Sequence, residues 1–210
     1  DVLIDTCTNN FATFNPLASK HDVLPTLSQG NLSIATNGTQ TTISLNTGKW
    51  YLEVLCTSTD ADQAFGMTET HEANTSAVVG HANARAGFIY QANGNVRQGG
   101  DGSIVATYST FTNGDIISFS YDTSNRQLKA FKNNTQQGTL TLAEPQAGSD
   151  YIFTAINLGG SFIANFGQDS SFAGNKTAQG NKDDNDQGDF FYSVPSGFLA
   201  LCTKNLAEFG

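Results

Sequence analysis

The sequence predicts an all-β fold, a two-sheet antiparallel β-sandwich, and three observations carry that expectation. Apolar and polar side chains alternate along short runs, the two-residue period of a half-buried strand. Those runs recur at intervals of about ten residues, bounded by Gly, Asn, Asp and Ser. No window of a dozen residues sustains the 3.6-residue apolar period of a helix. With 210 residues, fifteen Phe, six Tyr and one Trp, the chain has apolar volume for one core, and 1–210 reads as a single domain.

The runs follow in order. The first two, 32–36 and 41–45, flank Asn37-Gly38, a hairpin turn signal. In 49–57, Trp50, Leu52, Val54 and Cys56 share one face, while Tyr51, Glu53 and Leu55 share the other. This pattern makes Cys56 a buried structural thiol. Next come 65–68 and 87–91, then Asn93-Gly94, 104–108 and Asn113-Gly114. In 115–122, Ile117, Phe119 and Tyr121 face one way and Ser118, Ser120 and Asp122 the other. Asp122-Thr123-Ser124-Asn125 leads tightly into 127–132. Runs 139–142, 152–156 and 162–166 complete the series, with Gly159-Gly160 between the last two. Residues 57–64 and 69–84 read as connections, and the Gly/Asn/Asp/Lys-rich 168–189 as a long mobile loop. The apolar stretch 190–202 then returns to pack on the body.

Composition excludes several functions. Ten Lys+Arg against nineteen Asp+Glu give a net charge of −9, with no basic stripe to neutralise phosphates, so nucleic acid is not an expected partner. No apolar run approaches the ~20 residues of a membrane helix, so no membrane insertion is expected. Asp1-Val2-Leu3-Ile4-Asp5 lacks the basic and apolar regions of a secretory signal, and the chain reads as a processed product or a segment of something longer. Cys7, Cys56 and Cys202 show no CxxC spacing. Cys7 and Cys202 lie near the two ends and could pair only with Cα atoms within about 7 Å, which leaves a disulfide open.

No catalytic constellation assembles from the residues. His21, His71 and His81 fall in predicted loops without HExxH or HxH spacing and read as solvated. Glu53 is the one carboxylate centred on a strong strand; it lacks a strand-borne acidic partner and reads as a surface residue. No serine sits in a GxSxG elbow. The tract Asp183-Asp184-Asn185-Asp186-Gln187-Gly188-Asp189 resembles a calcium loop at its start, but Val194 stands where the bidentate Glu is needed. It reads as a solvated loop, with a weak cation site as the alternative. The expectation is therefore no catalytic residue, no metal site and no cofactor.

Three segments together resemble the SPRY family. Gly48-Lys49-Trp50-Tyr51-Leu52-Glu53-Val54 is similar to its "GKxYxEV" strand. Asn113-Gly114-Asp115-Ile116-Ile117-Ser118-Phe119-Ser120-Tyr121-Asp122, followed by Leu128-Lys129-Ala130-Phe131-Lys132-Asn133-Asn134, is similar to "GDvIgvxxD…LxFxxNG". Ala155-Ile156-Asn157-Leu158 through Asn165-Phe166-Gly167 is similar to the closing "NFG". Their order and spacing over 48–167 imply a concanavalin A-like, SPRY-like jelly roll, with Phe131 and Phe166 filling the sandwich. Segments 1–30 and 189–206 would flank it. Asn134 replaces the usual Gly, but Asn tolerates the left-handed backbone that the turn needs. The ends, 9–17 and 194–206, are similar to those of SPRY-like domains in bacteriophage structural and tail-fibre proteins.

The resemblance implies a non-enzymatic binding module whose loops at one edge of the sandwich meet a partner. The loops to examine are 57–64, 69–84, 92–102 and 143–150, with Asp60, Asp62, His71, Asn93, Arg97 and Asp101 as candidate binding residues. The expected setting is the virion surface, on a tail fibre or as a capsid-associated protein. Partners would be other virion proteins or a host-surface glycan or protein. For a glycan, Tyr90 or Tyr108 would stack on sugar faces. A cellular SPRY adaptor for peptides and a sandwich-fold glycan-degrading enzyme are the alternatives.

Overall fold

A computed structural model describes residues 4–19, 24–60, 63–70, 87–99, 103–156 and 159–210. Its strands are β1 (Phe14–Ser19), β2 (Thr26–Ser28), β3 (Ser33–Thr36), β4 (Thr39–Leu45), β5 (Lys49–Ser58), β6 (Ala64–Glu69), β7 (Gly87–Gln91) and β8 (Asn95–Gln98). They continue with β9 (Ile104–Thr107), β10 (Ile116–Asp122), β11 (Gln127–Lys132), β12 (Thr135–Thr141), β13 (Tyr151–Ile156), β14 (Ser161–Asn165) and β15 (Leu199–Ala200), before a short helix α1 (Thr203–Phe209). A seven-stranded sheet runs β1-β4-β13-β6-β7-β8-β9. An eight-stranded sheet runs β12-β11-β10-β5-β14-β3-β2, with β15 added beside β5. The pairings are antiparallel except that of β15, which lies parallel to the start of β5.

The alternation read in the sequence sets the faces. In register, Trp50, Leu52 and Val54 lie beside Tyr121, Phe119 and Ile117, and all six enter the inter-sheet core. Phe162 and Ala164 of β14 join them, opposite Phe65, Phe88, Tyr151 and Phe153 of the other sheet. The rings meet edge to face: Phe65 and Phe162 have centroids 4.8 Å apart at 85°, and Phe14 and Phe166 lie 5.8 Å apart at 78°. Cys56 is buried there, and burial pushes its thiol up, away from reactivity.

Several features depart from the sequence reading. Strands β1, β2 and β8 had no clear signal, because they are short, polar or interrupted by Pro16. Phe131 does not fill the sandwich. It pairs with Ser118, in the outward-facing row of β10, and is only half-buried. Residues 168–189 are not a loose loop. They fold through successive turns, with Ser171 and Ala173 amides held by Asp169 and Phe172 fully buried. Cys7 and Cys202 are both free thiols. The two ends nevertheless meet, with Phe11 bridged to Cys202 and Asn10 N–H donating to Thr203 Oγ1 at 3.0 Å.

The outer face of the eight-stranded sheet is covered around β5. Phe11, Tyr51, Phe190, Ala200 and Cys202 form a second apolar cluster on it, with Val194 and Phe198 packed alongside. The 190–202 stretch does return to the body, as its apolar composition predicts, and it closes this part of the face.

Candidate functional site

Strand register sorts the connections into two ends of the sandwich. Leu55 lies beside Ile116, Ala64 beside Gln91 and Ile156, and Cys56 beside Phe162. The β5–β6, β7–β8, β9–β10, β11–β12 and β13–β14 connections therefore share one end. Tyr151 lies beside both Leu45 and Glu69, so the β4–β5, β6–β7 and β12–β13 connections belong to the other.

Two candidate residues come together at the first end. Gln63 N–H donates to the Asp60 carbonyl at 3.1 Å, and Ala92 N–H donates to the Gln63 carbonyl at 2.8 Å, which ties Asp60 to the Asn93 turn. The Asp60 carboxyl lies so close to Gly159 that a Cβ there would stand 3.0 Å from its Oδ2. Asn93 is exposed, and its Oδ1 accepts the Asn95 N–H at 2.9 Å, the local bond that fixes the turn. Beside them, Asp115 accepts from Thr112 N–H at 2.8 Å and Asn133 Nδ2 at 2.7 Å and pairs with Lys132 at 3.1 Å. Partial burial alone would raise the Asp115 carboxyl, but Asn133, Thr112 and Lys132 hold it below its ordinary value. At this rim the β7–β8, β9–β10 and β11–β12 connections are tied down by their own side chains.

Arg97 reaches that rim only through its side chain. It sits near the far end of β8, half-buried, with Nε donating to Gln91 Oε1 at 2.9 Å. Asp62, His71 and Asp101 lie outside the described residues, as do His21 and His81. Neither tyrosine offers an open stacking face. Tyr90 is fully buried, its hydroxyl donating to the Ser109 carbonyl, and Tyr108 is half-buried edge-on against it, 5.2 Å between centroids. Both rings are needed to fill the space between Phe111 and the β12 edge, where Tyr108 lies on Gly138.

The sequence reading missed what Glu53 does. It is not a surface residue: it is completely buried on the outer face of β5, beneath the returning C-terminal segment. Phe191 N–H donates to Oε2 at 2.9 Å and Tyr192 N–H to Oε1 at 2.8 Å. Tyr51 Oη donates to Oε1 at 3.1 Å, and Asn165 Nδ2 reaches Oε2 at 3.3 Å. Burial pushes the Glu53 carboxyl up to about 7, against the pull of these four donors. Asp183 is likewise no solvated loop residue. Its Oδ1 accepts the Asn185 and Gln187 amides, each at 2.9 Å, and its Oδ2 accepts Ala200 N–H and Asn205 Nδ2, each at 2.8 Å. Both oxygens are thereby occupied in tying 183–187 to β15 and α1. Asp184 and Asp186 keep the expected exposure, Asp186 paired with Lys182 at 2.8 Å. A sequence signal existed only in part: an acidic residue inside an otherwise apolar strand, and an apolar stretch long enough to cover it.

An open groove of about 690 Å³ runs between the N-terminal segment and 180–189. Asn9, Phe11, Lys182, Asp189 and Lys204 are among its walls. Its two lysines and two aspartates, Asp186 and Asp189, balance in charge.

The chain is similar to the SPRY domain of human HERC1, at 16% identity and TM-score 0.53, covering 72% of this chain and 96% of that one. It is similar to the TRIM65 PSpry domain at 12% identity and TM-score 0.54, covering 74% and 89%. It is also similar to stonustoxin, at 15% identity and TM-score 0.53, covering 74% of this chain but 27% of that one. No protein-family profile and no curated protein sequence matches the chain. Likeness at these identities establishes the fold: an all-β, two-sheet antiparallel sandwich of the SPRY type.

Proposed function

We propose that this chain is a non-catalytic, protein-binding module that meets its partner through the rim bearing Asp60 and Asn93. The observation that carries this reading is the contrast between the outer face of the eight-stranded sheet and the rim at one end of the sandwich. Around β5 that outer face is covered by the chain's own C-terminal segment, whereas the outward residues of β12, such as Gln136 and Thr139, face solvent. The rim instead presents Asn93, Gly114, Asn133 and Asn134 on short, fixed turns. Connections held on a rigid scaffold suit recognition, because little conformational freedom is lost when they bind. A groove flanked by paired acids, as glycoside hydrolysis needs, is not what surrounds Glu53; its neighbours are hydrogen-bond donors.

The finer reading is a bacteriophage setting, with the module on the virion surface, on a tail fibre or capsid, touching virion proteins or a host-surface protein or glycan. Its support is the resemblance of the flanks 9–17 and 194–206 and the low charged content, 14%. Antibody labelling and density maps of purified particles test it. The chain should appear on the particle with its rim against a neighbour or a receptor. Its absence from particles, together with retention of cytosolic peptides, would favour the adaptor alternative.

A further inference from the structure

Glu53 joins two parts of the molecule that are distant in sequence. Its carboxylate is the point at which 190–202 meets the sheet, since two consecutive amides of that segment, Phe191 and Tyr192, end on its two oxygens. On the sheet side, β5 contributes Tyr51, β10 places Ser118 directly beside Glu53, and β14 places Asn165 on its other flank. The titratable groups facing it are Tyr51 and Tyr192, with Asp189 next to them, whose carbonyl shares the Asn165 amide at 2.8 Å. Both phenols are pushed up by burial and by Glu53 itself, so neither adds a negative charge near neutrality. Among the described residues, none of the ion pairs includes Glu53.

A buried carboxylate with neutral donors and no countercharge is held between two opposing terms. Desolvation favours the acid, and hydrogen bonds favour the anion. The acid also has a place for its proton: Oε1 can donate to Tyr51 Oη, whose oxygen in turn stands within hydrogen-bond reach of Ser118. When the covering segment lifts, water solvates the carboxylate and it ionises as an ordinary glutamate.

We propose that Glu53 makes the seating of 190–202 proton-dependent, so that the segment locks onto the outer sheet face in weak acid and loosens above neutrality. The carboxyl titrates near 7 when covered and near its ordinary 4.5 when uncovered. Over that interval the equilibrium for lifting the segment should rise by up to roughly 300-fold. What is uncovered is a polar and aromatic strip carrying Tyr51, Glu53, Ser118 and Asn165, a second surface distinct from the rim.

Amide hydrogen exchange read at single residues tests this directly, over pH 4.5 to 8.5 and corrected for the intrinsic exchange rate. Phe191 and Tyr192 should exchange through an opening that grows with pH and stays more frequent than that of Phe119 in the core. In Glu53→Gln the dependence should vanish. Should that variant fail to fold, a carbon-13 carboxyl titration of Glu53 in the wild-type chain decides the matter, with a midpoint near 7 expected. A midpoint at or below 4.5, a flat profile at Phe191, or exchange there as rare as at Phe119 at every pH would overturn the proposal.

Discussion

Trp50 and Phe166 show what single residues contribute to this sandwich. Both are buried in the inter-sheet core, and Trp50 also satisfies its indole N–H on the Thr47 carbonyl at 2.7 Å. Trp50→Ala or Phe166→Ala should each cost about 3–5 kcal/mol, read from denaturant melts, because rigid rings around the gap cannot collapse into it. Asp183 and Asp186 stand three residues apart with opposite expectations. Asp183→Ala strands four donors and should cost roughly 3 kcal/mol or more. Asp186→Ala should leave the melt unchanged, as its side chain stands in water. Glu53 sets the pH profile. The folded protein holds this proton up to about pH 7, while the unfolded chain releases it near 4.5. The resulting stability is fully present below pH 4.5 and is lost as pH rises through 7, a change on the order of 3 kcal/mol. Asp115 and Asp122, held below their ordinary values despite partial burial, act oppositely and withdraw stability only in stronger acid. Melts of wild type and Glu53→Gln across pH 4 to 8 should therefore separate progressively between 4.5 and 7 and lie furthest apart above 7.

At the level of elements, the β11–β12 hairpin is a clear case of local sequence deciding geometry. Asn133 and Asn134 both take left-handed backbone, at φ 47° and 64°, as a two-residue hairpin turn requires. Asn134→Gly should preserve or slightly raise stability, whereas Asn134→Val should lower it by about 1–2 kcal/mol, because a β-branched side chain is strained there. Strands such as β5, β10 and β11 are legible because their large apolar residues fall on alternate positions that face the inter-sheet core. Strand β8, Asn95-Val96-Arg97-Gln98, was not legible, since only Val96 is buried and its neighbours β7 and β9 impose the pairing. The seven-residue α1 is too short to show a helical period; contacts with the N-terminal segment at Asn10 and Asn9 hold its first turn. Glu53 and Asp183 conceal their roles in the sequence for different reasons. No spacing rule connects Glu53 to the Phe191 and Tyr192 amides, 138 and 139 residues away. Asp183 holds the amides of Asn185 and Gln187 in a local turn and those of Ala200 and the Asn205 side chain 17 and 22 residues on, a pattern that the acidic composition of its tract conceals. Among the binding residues, Asp60 and Asn93 were placed in connections correctly, but their sharing of one end depends on register, which individual runs do not reveal.

For the whole molecule, the arrangement divides its surface by role. The inter-sheet core fixes two layers, and residues 168–202 cover the outer face of one of them around β5. Gly167 makes this return possible: at φ 120° it ends the core strand, and a Cβ there would come within 2.6 Å of Phe11. The edge connections remain as the surface that a partner can reach without unfolding anything. A charge-swap comparison on one ligand tests that division most directly. The ligand would be selected from peptide and glycan libraries on the wild-type chain, then its affinity measured for Asp60→Arg with Asn93→Arg at the rim and for Glu144→Arg at the opposite end. The account predicts a peptide ligand whose binding falls at least about tenfold, roughly 1.4 kcal/mol, in the rim variant and is unchanged in the other. Full binding by the rim variant, with loss at Glu144 instead, would contradict it.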